Sequence, residues 1–165
     1  MEPDRQTFPH PVRYQPGSVL PGRPFVPGTG DARPEETNFS GGLSSWRTGI
    51  DLYNRGYFWE AHEAWEAVWL LWPRDSDTAL FARGCIQSAA ALLKLRLRLW
   101  GGIRSLSSKS LKTLYRVRSQ RLLGVDTQLV SRRFSEFWSP VGEGRLPLLS
   151  SFPRIEWSDP MEISV

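Results

Sequence analysis

The chain contains one cysteine and two histidines in 165 residues. A single thiol, Cys85, excludes an internal disulfide and fits a reducing compartment. With His10 in a proline-rich stretch, His62 is the one imidazole in the part of the chain patterned to fold. No uninterrupted apolar run approaches the roughly 20 residues of a membrane span, and none follows Met1 as a signal peptide would require. A cytoplasmic protein without a membrane partner is therefore expected. Proline and glycine are plentiful but segregated: eight of thirteen prolines and six of fourteen glycines fall within residues 1–42. Runs such as Pro21-Gly22-Arg23-Pro24 sustain neither a helix nor a central strand. Residues 1–42 read as a disordered or extended tail on which Phe8, Tyr14 and Phe25 are candidate docking side chains.

What is present is tryptophan, eight of them, and helical periodicity. The pattern predicts an all-α fold, a small bundle of about five helices over 43–139, followed by an extended C-terminal tail over 140–165. A first helix runs from Leu43 or Ser44 to Arg55, with Leu43, Trp46, Ile50 and Tyr53 as its stripe and Gly56 as its stop. A second ends near Trp72-Pro73. A third, capped by Ser76 or Asp77, continues to Leu99 or Trp100 and is apolar nearly all round, which suits the middle of a bundle. On it Gly84, Gln87, Ala90, Ala91 and Lys94 share a narrow face that lets another helix approach closely. A fourth helix is expected over Ile103–Leu123, with Tyr115 and Val117 inward, and a fifth from Asp126 to Trp138, ended by Pro140. In the tail, Leu148, Leu149, Phe152, Ile155 and Trp157 are the residues able to wrap onto the bundle.

The second helix is the organising stretch, Gly56-Tyr57-Phe58-Trp59-Glu60-Ala61-His62-Glu63-Ala64-Trp65-Glu66-Ala67-Val68-Trp69. At 100° per residue, Phe58, Ala61, Trp65, Val68, Trp69 and Trp72 share one face. His62 lies at its edge with Glu66 one turn above, Glu63 and Trp59 lie further round, and Glu60, Ala64 and Ala67 point to solvent. The histidine is thus desolvated by tryptophans and faced by a carboxylate.

The block from Gly49 to Trp69, with Asn54 and Gly56 ahead of Trp59-Glu60-Ala61-His62-Glu63-Ala64-Trp65-Glu66, resembles the signature of the DUF309 family. Gly84-Cys85-Ile86-Gln87-Ser88-Ala89-Ala90-Ala91 resembles that family's second segment, and Trp100-Gly101-Gly102-Ile103 its turn into the next helix. The resemblance spans about residues 43 to 115. It implies an all-helical domain of unknown function, some members of which are labelled predicted metal-dependent hydrolases. Carried over residue by residue, it implies His62, Glu63, Glu66 and Gln87 as the polar positions. Many members have a histidine or other polar residue where this chain has Leu93 and Lys94.

Several chemistries fit this constellation. His62, Glu63 and Glu66 are candidate catalytic residues, with His62 as base and Glu66 as its orienter. Trp59, Gln87 and Lys94 are candidate pocket-lining residues. His62 and Glu66 could hold a divalent metal, but a catalytic zinc normally takes three protein ligands, leaving Glu63, Asp51 or a residue of another helix to complete the set. Neither Cys85 nor Ser88 reads as an activated nucleophile. The competing reading is a hydrogen-bonded network of His62, Glu66 and Gln87 that fixes helix register. Charge supplies the last class. Residues 94–133 hold eleven Lys or Arg against Asp126 alone, while 51–77 hold six acids against Arg55 and Arg74. The basic segment is a candidate surface for nucleic acid or another anionic partner, with a solvated face as the simpler alternative. The asymmetry also allows pairing of two copies as a homodimer.

Overall fold

Five helices carry the architecture: α1 (Gly42–Asn54), α2 (Phe58–Trp69), α3 (Asp77–Arg96), α4 (Trp100–Tyr115) and α5 (Thr127–Gly142). The computed structural model describes residues 26–27 and 42–158. The residues His10, Phe8, Tyr14 and Phe25, and the side chain of Leu43, singled out above, lie outside them. Within the 1–42 segment only Val26-Pro27 and Gly42 are described; Val26 packs partly buried against the core, and Gly42 opens α1.

α3 is the central element and packs against both α2 and α4. Its start follows the expected chemistry, since Ser76 Oγ accepts from the Ala79 N–H at 3.2 Å. The core is aromatic. Trp46, Tyr53, Phe58, Trp65 and Phe81 are fully buried, and the Trp65 indole donates to the Trp46 carbonyl at 3.2 Å. The centroids of Trp46 and Trp65 lie 5.4 Å apart, a tilted contact typical of interior rings.

The small-residue face of α3 does admit a close neighbour, and that neighbour is α4. A Cβ on Gly84 would sit 2.5 Å from Leu114 Cδ2, and Ser110 Oγ donates to the Gly84 carbonyl at 2.7 Å. At the other end of the same face, the aliphatic stem of Lys94 covers Gly102.

Several element limits differ from the sequence expectation, each for a local reason. α2 stops at Trp69, not at Trp72, and tightens through Leu71 N–H to the Val68 carbonyl; Leu70, Leu71 and Trp72 are exposed. Glu60 and Ala64, expected in solvent, are buried because α2 lies between α1 and α3 and is covered on two sides. α3 ends at Arg96, and the Leu95–Leu99 alternation breaks at Arg98, whose φ of 53° leaves the helical region. α4 begins at Trp100 and ends at Tyr115 rather than spanning Ile103–Leu123, and Tyr115 points outward. The stretch beyond it forms a two-residue-loop hairpin of β1 (Arg121–Leu122) and β2 (Val125–Asp126), with Arg121 opposite Asp126. Leu123 and Gly124 both have positive φ, the geometry a type I′ turn needs.

α5 starts as expected, with Asp126 accepting from the Leu129 N–H at 3.0 Å, but runs past Trp138 to Gly142 with Pro140 inside it. So late in a helix, proline removes one hydrogen bond from the final turns without ending them. Beyond it a short 3₁₀ turn (Leu149–Ser151) leads into an extended strap. Phe152, Ile155 and Trp157 pack on the core as anticipated, whereas Leu148 is exposed.

Candidate functional site

Three of the proposed site residues come together on one stretch of α2. The His62 ring lies edge-on to Trp59, with centroids 4.7 Å apart. Its Nδ1 is bonded to the Trp59 carbonyl. A carbonyl only accepts, so Nδ1 carries the proton and Nε2 is the basic nitrogen. Glu66 Oε1 stands 3.7 Å from Nε2, an ion pair when the ring is protonated. The His62 side chain is largely covered and that of Glu66 about half exposed, so the pair sits at the rim of the helix rather than in its core. Glu63 is half-buried beside them.

Gln87 and Lys94 belong elsewhere. They share the face of α3 on which Gly84 approaches Leu114 of α4 and Lys94 covers Gly102. Gln87 Oε1 is enclosed without a hydrogen-bond partner. Among the described residues no hydrogen bond joins Gln87 to His62 or Glu66, so the expected network of the three is not formed. Metal ligation fares similarly: among the described residues no three His, Cys, Asp or Glu side chains gather as a metal-binding group. Asp51, considered as a further ligand, pairs with Arg55 at 3.5 Å. Cys85 is fully buried, and burial pushes its thiol pKa far above the ordinary value, so it is inert. Ser88 accepts from the Trp138 indole at 3.1 Å and serves packing.

The structure assembles a different charged centre at the α1–α2 corner. Arg96, at the end of α3, lays its guanidinium 4.6 Å from the centroid of the Phe58 ring. Gly56 has φ +86°, a conformation that favours glycine, and a Cβ there would lie 2.9 Å from Arg96 Nη2, so a side chain would also displace the tip of the guanidinium. Glu60 is almost wholly buried near this cation. Desolvation lowers the Arg96 pKa, and the Glu60 charge opposes that shift. Burial first, then Glu60, raises the pKa of Tyr57, against a lowering by Arg55. One sequence signal pointed here: Ala64 and Ala67, one and two turns after Glu60, share its face of the helix, and small residues there suit a covered face.

Two further clamps were not foreseen. Asn54 uses both ends of its amide on Ile155, Nδ2 to the carbonyl at 2.9 Å and Oδ1 from the N–H at 2.8 Å. Tyr53 Oη donates to the Pro153 carbonyl at 2.8 Å. At the opposite end of the bundle, Asp77 Oδ2 accepts from the Ser119 N–H and hydroxyl, both at 2.7 Å, and from the Arg118 N–H at 3.2 Å. These donors, Ser119 foremost, hold its pKa below the usual carboxylate range.

The basic segment is mostly at the surface. On α4, Arg104, Lys109 and Lys112 are exposed on one outward face with Ser105 and Ser108, and the helix contains no acid. Arg116 continues that face and pairs with Asp75 at 3.6 Å. Behind it, a cleft of about 550 Å³ opens between α4 and α5.

Residues 46–106 match the family model described as Domain of unknown function (DUF309). The match runs from Trp46 in α1 to Leu106 in α4, so the likeness read from the sequence holds over α1, α2, α3 and the first turns of α4. No curated protein matches the chain. Among the described residues no helix is long and apolar enough to cross a membrane.

Proposed function

We propose that this DUF309-like helical unit is a binding module for an anionic partner, with the outer face of α4 as its contact surface. One observation carries the reading: Arg104, Lys109 and Lys112 are exposed on a single helix face that holds no carboxylate. From Arg104 to Arg116 the face extends on the order of 18 Å, long enough to follow several phosphates of a nucleic-acid backbone. Binding of this kind releases counterions and weakens steeply with salt. The test is elution from heparin and a mobility shift with single-stranded oligonucleotide across a salt series. Lys109→Ala/Lys112→Ala should lower the salt slope by about 1.4, roughly 0.7 for each lysine on a single strand. Elution of that variant at the wild-type salt concentration rejects the reading.

A second reading concerns α2. The Trp59 carbonyl fixes the His62 tautomer and leaves Nε2 basic beside Glu66, an arrangement suited to a ligand-binding or general-base role. The metal-dependent hydrolase alternative lacks a third ligand among the described residues. His62→Gln with an unchanged melting curve but lost ligand binding would support the local role. Loss of stability alone would assign His62 to packing.

A further inference from the structure

The cleft between α4 and α5 is not explained by contact with a polyanion, because it lies to one side of the outward lysines. Its walls are helix edges of small residues: Ser107 and Ser108 on α4, Ser135 and Ser139 one turn apart on α5. These side chains leave about 550 Å³ between the helices, within the range of a small-molecule site. Arg104 lines the same space, and no carboxylate does. Among the described residues Arg104 has no ion pair, unlike Arg116 and Arg133, which are paired with Asp75 and Glu156. Ser107 is almost fully buried and makes only a long 3.4 Å bond to the Arg104 carbonyl. Its oxygen therefore keeps acceptor capacity, and its hydroxyl can turn to a better acceptor at little cost. Trp100 adds a partly exposed indole at one end of the cleft.

A guanidinium and several hydroxyls facing a volume without acids select for negative charge, and a guanidinium matches carboxylate or phosphate oxygens two at a time. The indole favours a flat ring over a bare ion. We infer that the α4–α5 cleft binds a small aromatic anion, its carboxylate or phosphate held by Arg104 and the cleft serines and its ring lying against Trp100. The site shares Arg104 with the outward face of α4 but not Lys109 or Lys112, so the lysine double variant separates the two readings.

The test is calorimetric titration of the full chain with phenyl phosphate and with benzoate, using phenol and inorganic phosphate as the ring-only and anion-only probes. Saturable binding of either aromatic anion, tighter than phenol and inorganic phosphate, is expected; the preferred one identifies the head group. Arg104→Gln should weaken it about tenfold or more. Ser135→Leu, at an exposed position, should block the cleft while the melting temperature holds. Lys109→Ala/Lys112→Ala should leave this affinity unchanged even where it abolishes heparin retention. Absence of saturable binding, phenol binding as tightly as phenyl phosphate, or wild-type affinity in both Arg104→Gln and Ser135→Leu overturns the assignment.

Discussion

Burial sets the chemistry of individual residues more strongly than their type does. Cys85 is a potential nucleophile by composition and an aliphatic residue by environment: no solvent reaches it, and desolvation holds it protonated. That shift links to stability. The folded pKa is raised, so the contribution is fully present below the unfolded value of about 8.5 and is lost progressively as pH rises toward the folded value. Tyr53, shifted upward by the same burial, adds to the loss only above about pH 10. The melting temperature should therefore fall between pH 8 and 10, and Cys85→Ala should flatten that decline; an equal slope in the variant would remove the thiol as its cause. Glu60 shows the opposite surprise. The sequence pattern sent it to solvent because a one-sided stripe was assumed for α2, yet it is buried near Arg96. Glu60→Ala removes the buried charge that favours the charged Arg96 guanidinium and should cost about 1–3 kcal/mol in a urea titration. A cost below about 1 kcal/mol would mean that Glu60 and Arg96 are not energetically coupled.

At the scale of elements, what could be read in advance was what period and caps encode. Ser76 and Asp126 begin their helices, Gly56 ends the first corner, and the small face of α3 admits a neighbour. What could not be read was partner choice. Gly84 and Gln87 announce a close helix–helix contact, but periodicity alone does not say whether α2 or α4 makes it, so Gln87 was placed with His62. The hairpin after Tyr115 escaped because Leu123-Gly124 takes a conformation leucine seldom adopts. The α3–α4 contact is directly testable. Gly84→Ala improves helix propensity by about 1 kcal/mol, yet its methyl meets Leu114 at 2.5 Å, and overpacking costs about 1–3 kcal/mol. Net destabilisation is expected, with Leu114→Ala costing less in the Gly84→Ala background than alone. Additivity in that double-mutant cycle would show that the two do not touch. The strap makes a second case. Asn54→Ala removes both bonds to Ile155 and should cost about 1–3 kcal/mol, with hydrogen exchange at the Ile155 amide rising more than at α3 amides. Uniform exchange would mean that the strap opens only with the whole molecule.

At the scale of the molecule, part of the charge segregation of the sequence is met within the fold. Three acids of the first half act on the second: the buried Glu60 charge favours the charged form of Arg96, Asp75 pairs with Arg116, and Asp77 accepts from the backbone N–H groups of Arg118 and Ser119. Arg104, Lys109 and Lys112 stay outside these contacts and remain exposed. Asp77 joins the ends most directly, since it lies in the first turn of α3 and holds the loop after α4. Its folded pKa is lowered, so its contribution is present above the unfolded carboxylate value of about 3.9 and is lost as pH falls through the folded one. Asp77→Asn keeps an acceptor oxygen for Ser119 but removes the charge that strengthens those bonds. Its urea midpoint should lie below that of the wild type at pH 7, and the gap should narrow as pH drops below about 4. A gap that persists undiminished at pH 3 would show that the loss comes from amide packing, and that the two halves of the molecule are not joined by charge at this end.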